Sequence, residues 1–141
     1  MKFRLMLKVL SVFLIAILLA GCAHIHEQKK QEMLEAKQKF FWKSLRWKSY
    51  SSALSVIKFK NTARKAFVSK GLKRITVTAY EEIGSVVVGD SGDIRTAVLF
   101  DYIQDETGRV FQIEHSELWW YEEASKQWYL GSDLPEFKTG R

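Results

Sequence analysis

"IRTAVLFDYIQDETGRVFQIEHSELWWY", Ile94 to Tyr121, decides the fold. Ile94, Thr96, Val98, Phe100 and Tyr102 alternate with Arg95, Ala97, Leu99, Asp101 and Ile103. A period of two puts each set on one side of an extended chain, so Ile94 to Ile103 is expected to be a half-buried strand. Asp105-Glu106-Thr107-Gly108 follows. This polar run ends in the residue that most readily takes positive φ, and it reads as a hairpin turn. Val110 to Tyr121 returns as a second long strand. Its alternation slips between His115 and Leu118, which predicts a bulge there.

The pattern extends in both directions. Glu122 to Gln127 turns again, Trp128-Tyr129-Leu130 begins a last strand, and Pro135, the only proline, marks its end. Upstream, Ile75, Val77 and Ala79 alternate with Thr76, Thr78 and Tyr80, predicting a strand to about Ile83. Val86-Val87-Val88 either continues it or starts an irregular edge. Gly89-Asp90-Ser91-Gly92-Asp93 lies between the two strands. Four of its residues are similar to the nucleophile stretch of trypsin-like serine proteases. Asp93 and Ile94 then depart from that pattern, and 141 residues cannot build the two barrels such proteases need. The run reads as a polar loop.

Before the strands the period is helical. Glu27 to Lys39 is mostly Glu, Gln, Lys and Ala, all good helix formers. Met33, Ala36, Phe40, Trp47, Tyr50, Leu54 and Ile57 recur near spacings of three, four and seven, so they are expected to share one face. Phe41, Trp42 and Leu45 widen that stripe, with Lys43, Arg46 and Lys48 facing out. One helix is expected from about Gln31 to about Phe59, with Ser51 and Ser52 as the place for a break. The stripe is assigned to the core because the strands need a helix to bury them. The other reading makes Phe40-Phe41-Trp42 and Trp47 a membrane-surface face. A shorter helix is expected from about Asn61 to Val68, ended by Gly71.

Lys2, Arg4 and Lys8 precede an apolar run from Val9 to Ala20, interrupted only by Ser11. About 12 helical residues rise roughly 18 Å, short of a ~30 Å hydrocarbon core. The run ends at Leu19-Ala20-Gly21-Cys22, which contains the only cysteine. This resembles the lipobox of bacterial lipoproteins at all four positions. The resemblance implies that residues 1–21 are a signal peptide cleaved between Gly21 and Cys22, and that Cys22 is acylated. Residues 22–38 would then be a lipidated tether and residues 39–141 the domain. Two or three acyl chains hold a protein on a bilayer almost permanently. Ala23 in place of Asp implies the outer membrane, facing the periplasm, in a Gram-negative host. In a Gram-positive host the anchor would sit on the outside of the cell membrane. Cys22, His24 and His26 alternate, but an alkylated sulfur is no thiolate ligand. No metal and no cofactor are expected.

The hydrophobic share of 47% supports a packed core, and one cysteine excludes an internal disulfide framework. The formal charge is +6, half of it in the first eight residues. What remains is mildly basic and does not call for a nucleic-acid partner. Cations are dense from Lys29 to Arg74 and acids from Glu81 to Asp105.

Two helices followed by hairpin-linked strands predict an α+β domain, helices on one face of an antiparallel sheet of about four strands. Two long strands bent by a bulge around a long helix resemble the nuclear-transport-factor-two-like (cystatin-like) fold over Phe40 to Phe137. The ending "LWWYEEASKQWYLGSDLPEF" is similar to that of many members. The resemblance implies a strongly curved, cone-shaped sheet and a pocket between sheet and helix, with Tyr80, Tyr102 and His115 as candidate lining. Asp101 and Glu114 are nearby carboxylates, but Asp101 and Tyr102 face opposite sides. No acid–base pair must converge, so no catalytic residue is assigned and no enzyme is expected. Trp119, Trp120, Trp128 and Tyr129 concentrate on two neighbouring strands and are expected to form an interaction surface. The expected function is a membrane-anchored module that binds a partner protein, a second copy through the sheet, or a small apolar ligand. A pocket enzyme of the isomerase or dehydratase kind and an envelope assembly factor are the alternatives.

Overall fold

The computed structural model describes residues 25–139. The signal segment, the cleavage pair Gly21 and Cys22, and His24 lie outside the described residues. The chain divides into two compact units, Met1–Glu35 and Ala36–Arg141. The described part of the first, residues 25–35, is helical and mostly exposed, with Leu34 buried. Gln31 donates to Glu35 one turn on, at 3.3 Å.

The second unit is α+β. It begins at residue 36, within the helix α1 that is described over residues 25–46, and continues with α2 (Tyr50–Ser55), β1 (Ile75–Val88), β2 (Asp93–Gln104), β3 (Val110–Glu122) and β4 (Gln127–Leu130). A short 3-10 turn, Leu72–Arg74, precedes β1. The long helix expected to reach Phe59 stops earlier than either serine. Lys48 takes a left-handed backbone (φ 54°), its N–H bonds to the Leu45 carbonyl, and the Ser49 N–H bonds to that of Ser44 at 2.8 Å. That pair of bonds is a Schellman close, here built on lysine instead of glycine.

The expected helix from Asn61 to Val68 does not form; residues 62–69 are irregular. Asn61 is itself left-handed (φ 59°), and the Thr62 hydroxyl takes the Arg64 N–H at 3.2 Å. A side chain that accepts its neighbour's N–H competes with the helical bond. The segment is held by side chains: Arg64 pairs with Asp133 at 2.9 Å and stacks 3.9 Å over Phe59.

The four strands form one antiparallel sheet in the order β1-β2-β3-β4. Thr96, Val98, Phe100, Tyr102 and Gln104 of β2 are buried, as the alternation predicts. Gly108 closes the β2–β3 turn with φ 67°. The bulge expected between His115 and Leu118 is absent. β2 and β3 stay in unbroken register from Ile94 opposite Trp119 to Ile103 opposite Val110. The register shifts lie on β1, at Val77/Ala79 and Glu82/Gly84. The sheet is not strongly curled, so the cone implied by the family resemblance gives way to a gentler surface. The physical reason is placement: bulges confined to an edge strand bend that strand and leave the central ladder unbent.

The core lies between α1 and the sheet. Phe41, Trp42 and Leu45 pack on it from the helix, with Ile75, Val77, Val98, Phe100, Tyr102, Trp119 and Leu130 beneath. The C-terminal segment adds Leu134 and Phe137, whose ring meets Phe100 at 5.9 Å and Tyr102 at 4.9 Å. The free edge of β4 is covered by the chain after α2. The Lys58 N–H bonds to the Leu130 carbonyl and the Leu130 N–H to that of Val56, both at 3.0 Å. The other edge, β1, is paired with β2 alone among the described residues.

Candidate functional site

On β3 the inward positions are Phe111, Ile113, His115, Glu117 and Trp119. Because the register does not slip, a glutamate falls on a core position. Glu117 has 0% exposure. Its Oε1 accepts the Trp42 indole N–H at 2.8 Å, and its Oε2 accepts that of Trp119 at 2.9 Å. Burial pushes its carboxyl up to about 7; the two indole hydrogen bonds oppose this and the Glu82 charge adds to it. A second polar chain lies beside it. Gln38 Nε2 donates to Thr96 Oγ1 at 2.8 Å, Thr96 and Ser85 hydroxyls meet at 2.9 Å, and Ser85 Oγ donates to Glu82 Oε1 at 2.7 Å. The ends fix the direction: the amide donates in and the carboxylate accepts out, so Thr96 donates to Ser85.

A carboxyl that titrates near neutrality suits proton transfer. Here both oxygens are held by indoles and the group has no exposed surface. What the arrangement does is tie α1 to β3 through the Trp42 hydrogen bond, while Trp119, on β3 itself, holds the other oxygen.

The expected pocket residues Tyr80, Tyr102 and His115 lie on the inner face of the sheet. Tyr80 lies against Trp42, ring centroids 5.5 Å apart. Tyr102 is buried, stacks on Phe111 at 5.5 Å, and bonds to the Lys138 backbone, donating to its carbonyl at 3.3 Å and accepting its N–H at 3.2 Å. His115 sits opposite Val98. Burial lowers its pKa, against the raising effect of the Asp133 backbone and charge, and its Nε2 is buried without a hydrogen-bond partner among the described residues. Of the flanking carboxylates, Asp101 accepts from Gln112 at 2.7 Å and Glu114 is exposed.

The aromatic concentration expected to form an interaction surface is packed largely by the protein itself. Trp119 is in the core, edge-on to Phe41 at 6.1 Å. Trp120 lies on the opposite face, beneath the 57–60 segment, and donates its indole N–H to the Lys58 carbonyl at 2.7 Å. Trp128 is buried against Tyr121 at 5.3 Å. Tyr129, half-buried, carries Lys58 Nζ 5.0 Å above its ring.

Exposed apolar surface lies elsewhere. Residues 81–87 of β1 are all exposed, and Ile83, Val86 and Val87 are each at least half exposed. Phe40 on α1 is 47% exposed and Trp47, in the turn that ends it, 71%. These two wall a groove of ≈ 240 Å³ with Lys43, Ser44, Ser49 and Ser52. Among the described residues no metal-ligating cluster occurs, and no helix is long and apolar enough to cross a membrane.

Glu117 is the residue that sequence reasoning missed. Its signal was there: Phe111, Ile113, Glu117 and Trp119 keep one parity, and the inferred bulge moved the glutamate out of the core. Comparison with protein-family models, curated proteins and solved structures finds no match. The lipoprotein and cone-fold likenesses therefore rest on this chain's residues alone.

Proposed function

We propose that this chain is a lipid-anchored cell-envelope protein whose α+β domain is a non-catalytic module for binding a partner protein. The likeness of Leu19-Ala20-Gly21-Cys22 to a lipobox supports the anchor. The observation that carries the binding role is the open edge of β1. A long edge strand presents unpaired N–H and C=O groups, and partners use such edges by adding a strand. β1 offers exposed residues 81–87 with Ile83, Val86 and Val87 beside that row of backbone groups. Glu81 and Glu82 at its start favour a partner strand bearing Lys or Arg. This reading moves the interaction surface from the tryptophans to the β1 edge. It does not need a cone-shaped pocket. The enzyme alternative has Glu117 in its favour, with its carboxyl near neutral, and against it the engagement of both oxygens.

The test is photo-cross-linking in intact cells, with the reactive side chain at Val87 or, as a control on the β2–β3 turn, at Thr107. A discrete protein adduct from Val87 that Val86→Lys abolishes is expected. No adduct from Val87, or equal adducts from both positions, overturns the binding role. The mass of the mature N-terminus tests the anchor separately.

A further inference from the structure

We infer that the outward face of α1 around Phe40, Lys43 and Trp47 is a docking face for an anionic phospholipid bilayer. The helix carries two apolar stripes on roughly opposite sides. Phe41, Trp42 and Leu45 are buried in the domain. Phe40 and Trp47 point away from it, and Met33, seven residues before Phe40, is exposed too. An isolated exposed aromatic needs no explanation. Two aromatics two turns apart, walling one groove with a lysine between them, form a face.

Charge complementarity selects the occupant. Between Ala36 and Tyr80 the sequence holds twelve Lys or Arg and no Asp or Glu. Five of these cations have ion-pair partners elsewhere in the domain: Lys48, Lys58, Lys60, Arg64 and Arg74. Lys39, Lys43 and Arg46, on α1, are exposed and have no ion pair among the described residues. Trp and Phe with flanking lysines match the interface between headgroups and acyl chains. Each cation strengthens attraction to an anionic leaflet about fivefold. Lys43, Ser49 and Ser52 line the same groove as the two rings, so a cation and two hydroxyls, themselves 2.9 Å apart, are available to a headgroup phosphate there. The inference draws on the envelope reading for the presence of a bilayer near this helix, through a lipidated Cys22 placed 18 residues before Phe40.

The experiment uses the full chain, purified from membranes and reconstituted into vesicles of phosphatidylcholine alone or with phosphatidylglycerol, with and without brominated acyl chains. Brominated chains are expected to quench tryptophan emission on the phosphatidylglycerol vesicles. The quenching should vanish in Trp47→Ser and weaken at least about fivefold with Lys43→Glu or added salt. Trp47 is exposed, so its loss leaves the fold intact, which near-ultraviolet circular dichroism verifies. An unquenched wild type on anionic vesicles overturns the inference. Equal quenching in Trp47→Ser does so too, as does protection of Trp47 by an acidic protein but not by lipid. The mass of Cys22 in the same sample separates the two readings. An acylated chain with an unquenched Trp47 sinks the face and keeps the anchor. An unacylated chain that is quenched only on anionic vesicles keeps the face and sinks the anchor.

Discussion

The two sides of α1 are made of the same residue types and do different work. Phe41 and Trp42 face the sheet; Phe40 and Trp47 face outward. Hydrophobicity alone does not separate them. What separates them is what each side meets: an indole donor aimed at a buried carboxylate on one side, unpaired lysines on the other. A buried and an exposed apolar stripe can therefore share one helix, and polar partners show which is which.

The largest expected effect that would sharpen this contrast is on Phe41. Truncating Phe41→Ala removes a fully buried ring and should cost about 3–5 kcal/mol in urea unfolding. Phe40→Ala, one residue earlier, should stay within about 0.5 kcal/mol. Equal losses would break the comparison.

Next comes Glu117. Its folded carboxyl titrates at about 7, against 4.5 for an ordinary glutamate. Between those values the folded chain holds a proton that the unfolded chain has released. Stability therefore falls as pH rises through this window and levels off above it, by about 3 kcal/mol in total. Asp105, lowered by hydrogen bonds from Lys48 and Thr76, and Glu122, lowered by those from Lys58 and Ser125, act in the opposite sense. Their contributions are present at neutral pH and are lost as pH falls through the acid range. Comparison with Glu117→Gln isolates the glutamate. The stability difference between wild type and variant should shift against the wild type by about 3 kcal/mol from pH 4 to pH 8. A difference independent of pH would mean that Glu117 is not a buried titrating group.

The strands and hairpins were legible because period two and turn chemistry act locally. Ile94 to Ile103 shows its buried side by alternation alone, and Gly108 its turn. The orientation of α1 was not legible, because both stripes recur at helical spacing. The one that packs contains Gln38, a polar residue buried by its bond to Thr96, which disguises it as the weaker stripe. Glu117 was hidden for the same reason. A core carboxylate looks like a break in the pattern until its two indole partners, from β3 itself and from 75 residues away, are in place. Lys48, left-handed without being glycine, left no sign that α1 stops there, and the left-handed Asn61 left none that the helix expected after it does not form.

The most direct test of the two-sided helix is tryptophan oxidation by N-bromosuccinimide, mapped by peptide mass on the folded full chain in a nonionic detergent. Trp42 and Trp47 lie five residues apart on this helix and its terminal turn, at 4% and 71% exposure. Trp47 should be oxidised first, with Trp42 protected until the chain unfolds. Trp42 reacting as fast as Trp47, or Trp47 surviving until unfolding, would contradict the account.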